Sequence, residues 1–158
     1  MKEIELTKGK VASVDDEDFD SLSIHKWYYH SEGYAARREK GTNKMIFMHR
    51  QILGTPKGFD TDHINCDGLD NRKCNLRLAS RAQNLFNVKI GRGNKSGYKG
   101  VSWHKAAKKW EACIKANGKK LYLGCFATTE LAAAAYNKAA VKHFGQYARL
   151  NNIGQEKI

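Results

Sequence analysis

Asp62 and His63 stand side by side, and Asn84 follows one helical turn beyond Ser80. A histidine at the end of a strand can draw a proton from water. A carboxylate and an amide oxygen are hard ligands that suit magnesium. An ion held by only two protein oxygens keeps coordination sites for water and phosphate. It can stabilise a leaving 3′-oxygen while His63 activates the attacking water. Neighbouring residues in a strand point to opposite sides, so the pair shares a site only where the strand breaks. Asp, Asn and Gly are also turn formers, and a purely structural loop is the competing reading of the polar stretch Asp62–Asn87.

Positioning these groups requires strand, loop, strand and helix. Thr61-Asp62-His63 reads as an extended segment after the turn Pro56-Lys57-Gly58-Phe59. Residues 65–71 read as a loop and Asn75-Leu76-Arg77-Leu78 as a second extended segment. Ser80 is a natural N-cap for a helix from Arg81 to about Val88. Upstream, Met48–Leu53 predicts a short helix closed by Gly54. Residues 1–48 read as a β-rich leader: Glu3–Leu6 and Lys10–Val14 are strands joined at Gly9. Asp15-Asp16-Glu17-Asp18 starts a helix with Phe19 and Leu22 turned inward. Three further strands lie at 27–29, 33–37 and 45–48. Arg37, Arg38, Lys40, Lys44, Arg72, Lys73, Arg77 and Arg81 are candidate phosphate contacts, with a solvated face as the alternative for the first four.

The 158 residues suffice for one ordinary domain or two small ones. The net charge of +12 is unevenly placed. Residues 1–90 carry 15 Lys/Arg and 13 Asp/Glu (+2), whereas residues 91–158 carry 13 and 3 (+10). The second half is therefore a cationic module whose natural partner is a polyanion, and its interleaved aromatics favour nucleic acid over a membrane surface. The sequence lacks a long apolar run and a secretory-type start, which points to an intracellular, cytoplasmic protein. Cys66, Cys74, Cys113 and Cys125 lack paired C-x2-C spacing and read as small, reduced, buried or half-buried thiols, with no structural zinc.

Gly91–Gly97 holds three glycines and no apolar residue and reads as a linker. Strands are expected at 100–104, 110–115 and 120–126, with a type I′ hairpin turn at Asn117-Gly118. Thr128 or Thr129 should cap an Ala-rich helix ending at Phe144-Gly145. So many alanines place that helix close against one face of the sheet and leave the other face open to a partner.

Residues 49–87 resemble the HNH nuclease family, with its ββα-metal fold, through His49-Arg50, Asp62-His63, Asp67-Gly68, Asn71, Asn75-Leu76, Asn84 and Asn87. The resemblance implies that His63 is the general base and that Asp62 and Asn84 are metal ligands. It implies that Asn75 braces the loop and orients His63, and that Asn87 is a further ligand or phosphate contact. The implied cofactor is a divalent metal, magnesium with manganese as the alternative. Relatives often carry an aromatic after the Asn-Leu pair, where this chain has Arg77.

Residues 96–151 resemble the plant ethylene-response-factor (Apetala-type) DNA-binding domain. The carrying motifs are Gly97-Tyr98-Lys99-Gly100-Val101, Lys109-Trp110, Tyr122–Phe126, the Ala-rich run ending at Tyr136, and Ala148-Arg149-Leu150-Asn151. The resemblance implies a sheet that reads the major groove, here with Ser102, His104, Trp110, Lys115, Lys120 and Tyr122. A core role for Trp110 is an equal alternative. Lys105, Lys108, Lys109 and Lys119 would bind phosphate and make affinity salt-sensitive. Several family arginines are Ser, His or Lys here, and Lys lacks the fork that reads guanine, so the family's target preference does not carry over.

The expected architecture is thus α+β. It comprises an HNH nuclease domain over 1–90 (leader 1–48, core 49–90), a linker over 91–97, and a three-stranded antiparallel sheet on one helix over 98–152. The expected function is a phage- or homing-type endonuclease, a monomer or weak dimer, cutting double-stranded DNA in a phage-infected host cell. The alternatives are a DNA-binding regulator with a retired nuclease fold and an RNA-directed nuclease.

Overall fold

The structure is a computed structural model that describes residues 1–154. It is α+β and divides into two compact units, 1–85 and 86–158. Among the described residues no helix is long and apolar enough to cross a membrane.

In the first unit, β1 (Lys2–Glu5) and β2 (Val11–Val14) form a hairpin, followed by α1 (Asp16–Ser23). The strands β3 (Tyr28–Tyr29), β4 (Ala35–Arg38) and β5 (Met45–Phe47) form a second antiparallel sheet. The core joins Ile4, Leu6, Ala12, Val14, Leu22, Trp27, Ala35 and Met48, with Trp27 Nε1 donating to Leu22 O at 2.8 Å. Helix α2 (Met48–Leu53) ends on Gly54 in the left-handed region, as glycine permits. It is followed by β6 (Asp60–His63), which pairs with β7 (Leu76–Ala79), and by α3 (Arg81–Phe86). Ser80 and Gln83 form a reciprocal capping box at the start of α3: Gln83 N donates to Ser80 Oγ and Ser80 N to Gln83 Oε1.

The leader is tied to the loop between β6 and β7. Ser13 N donates to Leu69 O at 2.9 Å, and Asn71 N donates to Ser13 O at 2.8 Å. Asp15 sits at the N-cap of α1, but its carboxylate caps nothing on that helix. It accepts instead from Lys73 N at 2.7 Å, and Glu17 and Asp18 pair with the Lys73 ammonium. The acidic run thus starts a helix and also holds the far end of the loop. Gly68 makes the close approach possible, because a Cβ there would lie 2.4 Å from Gly33 O and 2.7 Å from the Tyr34 ring.

In the second unit β8 (Val101–His104), β9 (Lys109–Ala116) and β10 (Lys119–Phe126) form an antiparallel sheet in the order β10-β9-β8. Asn117 and Gly118 both have positive φ, as a type I′ turn requires. Thr128 Oγ1 accepts from Leu131 N and caps α4 (Thr129–Phe144). Ala132, Ala133, Tyr136, Ala140 and Phe144 face the sheet. This unit begins before the expected linker. Phe86 stacks on Phe144 at 3.9 Å, and Lys99 Nζ donates to Phe86 O and Val88 O. The later part of the Gly91–Gly97 segment is ordered around Asn94, whose Oδ1 accepts from Ser96 N and Gly97 N. Asn151 clasps the C-terminal end, exchanging hydrogen bonds with the Lys99 main chain and with Asn137.

Gly100 is the tightest point of the second unit. Its φ is +75°, and a Cβ would fall 2.1 Å from the Tyr136 ring and 2.6 Å from Cys113 O. Gly100→Ala should cost about 2–4 kcal/mol, combining overpacking with left-handed strain. Two-probe denaturant melts should show the tryptophan signal of the sheet (Trp103, Trp110) shifted to lower denaturant.

Candidate active site

The end of β6 buries Thr61, Asp62 and His63 together. His63 sits among rings. Tyr34 stacks on it with centroids 5.7 Å apart, His49 meets it edge-on at 4.9 Å, and Phe47 stacks on His49 at 5.5 Å. Its polar partner is Asn71, with His63 Nε2 and Asn71 Oδ1 3.2 Å apart. Asn71 Nδ2 donates to Leu69 O, which turns Oδ1 toward the ring. Nε2 is therefore the protonated nitrogen, and the lone pair of the neutral ring lies on Nδ1. Burial pushes the His63 pKa below 6.5, against the pull of Asn71 and of Asp62, Asp67 and Asp70. The ring is thus uncharged at neutral pH, with one proton on Nε2 and none on Nδ1.

The Asn75 side chain hydrogen-bonds within the loop and not to the His63 ring. Its Oδ1 accepts from Asn65 N at 3.0 Å, and its Nδ2 donates to Asp70 O and Asn65 Oδ1. Orienting the imidazole falls to Asn71, which the motif contains and to which the sequence reading assigned no role. Asn71 lies eight residues from His63, and no pairing rule links such positions across an irregular loop.

Asp62 receives two hydrogen bonds from Arg77 on Oδ2, from Nε at 2.8 Å and Nη2 at 2.6 Å. Arg77 faces Asp62 directly across the β6–β7 pair. Asn84 lies on α3 and donates its Nδ2 to Asp60 Oδ2 at 3.0 Å. That hydrogen bond first, and the Arg81 contact after it, hold the Asp60 carboxyl below the usual range. Asn87 is buried in the second unit, so the first unit's own candidate ligands are Asp62 and Asn84. Among the described residues no group of three or more His, Cys, Asp and Glu side chains could hold a metal. An ion here would rest on a carboxylate and an amide oxygen, a sparse, hard set that matches magnesium, which keeps most of its waters. A cleft of about 300 Å³ opens beside this group, lined by Tyr34, His49, Arg50, Asp60, Arg81 and Asn84 among others.

Six of the eight expected phosphate contacts in this unit are engaged within the protein, all but Lys40 and Lys44 among the described residues. Arg72 binds Asp70, Lys73 binds Glu17 and Asp18, Arg77 binds Asp62, and Arg81 binds Asp60. Arg37 Nη2 donates to Gln51 Oε1 and the guanidinium lies over Trp27, while Arg38 donates to Asn43 O. Four of the cations of this half thus form ion pairs within it.

In the second unit, cross-strand pairing puts Ser102, His104, Lys109, Lys115, Lys120 and Tyr122 on the sheet face away from α4. Lys105 and Lys108 lie in the β8–β9 turn. Trp110 and Lys119 fall on the other side by alternation. Trp110 packs with Val101, Ala112, Ala132 and Ala133 and meets Trp103 edge-on at 5.1 Å, so its core role holds. Sequence reasoning missed Glu111, at the centre of the open face. It accepts from Cys113 Sγ and Lys120 Nζ, and the Cys113 thiol first, then Lys120, hold its carboxyl low. All four cysteines are free; Cys74 is exposed rather than half-buried.

A family model described as HNH endonuclease matches residues 48–85. Over 149 residues the chain is 32% identical to an uncharacterized HNH endonuclease of Acanthamoeba polyphaga mimivirus, an alignment covering 92% of this chain and 77% of that protein. The chain belongs to the HNH endonuclease family. Protein 3.8 of Escherichia phage T7 is 37% identical over 94 residues, covering 60% of this chain and 77% of that one. An AP2-like ethylene-responsive transcription factor of Arabidopsis thaliana is 43% identical over 62 residues, which is 39% of this HNH chain and 13% of the plant protein. No solved structure matches.

Two outcomes follow for the histidines of this HNH unit. In an NMR pH titration the His63 ring should titrate below pH 6.5, and Asn71→Asp should raise its pKa, because a carboxylate beside the ring favours the imidazolium. Burial first, then the neighbouring His63 and Arg50, push His49 down to about 3. The unfolded chain takes up that proton near pH 6.5 and the folded chain only near 3, so stability falls as pH drops through this window. Thermal melts from pH 7 to 4 should show the loss, and His49→Phe should flatten it.

Proposed function

We propose that the chain is a divalent-metal-dependent DNA endonuclease, in which the first unit hydrolyses the phosphodiester and the second unit holds the duplex. The observation that carries this reading is the buried, uncharged His63, fixed by Asn71 in one tautomer beside Asp62. His63 Nδ1 takes the proton of the attacking water. Tyr34 and His49 keep the ring in its plane and exclude bulk water from its faces. Arg50 supplies positive charge along the cleft for the phosphate. Asp62 and Asn84 would hold the metal, magnesium or manganese, which when bound stabilises the leaving oxygen. Each chain has one such site, so a monomer nicks one strand, and a double-strand break takes two chains or two events.

The open face of the second unit, with Ser102, His104, Lys109, Lys115, Lys120 and Tyr122, supports docking in the major groove. Lys105 and Lys108 in the adjoining turn would bind phosphate. The partial likeness to plant AP2-like transcription factors supports the same role. Lys120 and His104 are drawn toward Glu111, so this face is less cationic than its composition suggests and favours readout alongside charge.

Wild-type protein with magnesium should relax supercoiled plasmid, and His63→Ala should slow nicking by about 10²–10⁴-fold while leaving affinity unchanged. Binding by that variant should weaken linearly in log salt, losing about 0.9 of slope for each phosphate contact removed. Tight, salt-sensitive binding with intact plasmid across several divalent metals would instead mark a regulator that keeps a nuclease fold.

A further inference from the structure

Asp60 lies two residues before the Asp62-His63 pair, and nothing in the nuclease motif assigns it a task. On β6 it shares the strand side of Asp62. It draws in two groups from α3. Asn84 Nδ2 donates to Asp60 Oδ2 at 3.0 Å, and Arg81 Nη1 donates to the same oxygen at 3.3 Å.

The hydrogen bond to Asn84 has a consequence for ligation. A carboxamide presents an oxygen that can ligate a hard cation and a nitrogen that cannot, and the two exchange by a half-turn of the terminal torsion. A carboxylate accepts only, so the group facing Asp60 must be the NH₂. The Asn84 oxygen is thereby turned away from Asp60, on a side chain that helps line the cleft. Asn84 stands in a six-residue helix, and its main chain alone does not set the terminal torsion.

We propose that Asp60 is a positioning residue for the metal site, locking the Asn84 carboxamide with its oxygen toward the ion. This rests on the reading that Asn84 is a metal ligand. Partners that orient a ligand in this way typically account for about 10–100-fold in metal affinity. Arg81 steadies Asp60 on the same oxygen, so one acceptor atom at that point serves both donors.

That convergence makes Asn a discriminating replacement. In Asp60→Asn, the amide oxygen can stand where Oδ2 stood and accept from both Asn84 and Arg81, while the negative charge is gone. Mn²⁺ binding to the full-length chain without DNA, followed by electron paramagnetic resonance, reads the site directly. Asp60→Ala should weaken Mn²⁺ binding about 10–100-fold, Asp60→Asn should stay within about threefold of wild type, and Asn84→Ala should lose the site. Circular dichroism melts of each variant separate a folding defect from a site defect, and Asp60→Asn carries the argument should Asp60→Ala fail to fold. Wild-type affinity in Asp60→Ala overturns the inference alone. An Asp60→Asn variant as weak as Asn84→Ala also overturns it, because charge or direct ligation by Asp60 would then be the cause. Wild-type protein that binds no Mn²⁺, or Asn84→Ala that binds it normally, overturns the ligand reading and the inference together.

Discussion

The orientation of the His63 ring depends on two main-chain hydrogen bonds at Ser13. They fix Leu69 and Asn71 against β2. Leu69 O then takes the Asn71 NH₂, and the Asn71 oxygen is left to meet the His63 ring. Each step removes one rotational choice, so a strand some fifty residues away in sequence selects the nitrogen of His63 that carries the lone pair. The β-rich leader is therefore a wall of the active site, and the acidic run after it is the second fastening, through Lys73.

Electrostatics divides the labour between the two halves. In the nuclease unit Arg72, Lys73, Arg77 and Arg81 each answer an acid, and acids nearly balance the cations over residues 1–90. In the second unit Glu111 is the counterweight at the centre of a cationic face. The excess charge of the chain thus sits where a long polyanion can be engaged over many contacts.

Regular elements were legible in the sequence, and the partnerships inside the loop were not. The Asn117-Gly118 hairpin, the Ser80 capping box, the Gly54 helix end and the Ala-rich face of α4 all follow from local rules, and the structure has each of them. The chain's place among HNH endonucleases was legible as well, because the ordered set from His49 to Asn84 is unlikely to arise by chance. The partner of His63 was hidden because both Asn71 and Asn75 are buried amides of one irregular loop, and only the Ser13 clip distinguishes their tasks. Trp110 was ambiguous for a different reason. A tryptophan suits either face of a half-buried sheet, and its pairing with Trp103 sends it to the helix side.

Arg77 stands where relatives often carry an aromatic, and it places a guanidinium on Asp62. A buried carboxylate without a counter-charge would strain the fold and would make a cation a requirement for assembly. With Arg77 in place the debt is settled within the polypeptide. The strand pair that carries Asp62 therefore needs no bound cation to balance that buried charge, and β6 is held against β7 by the polypeptide alone.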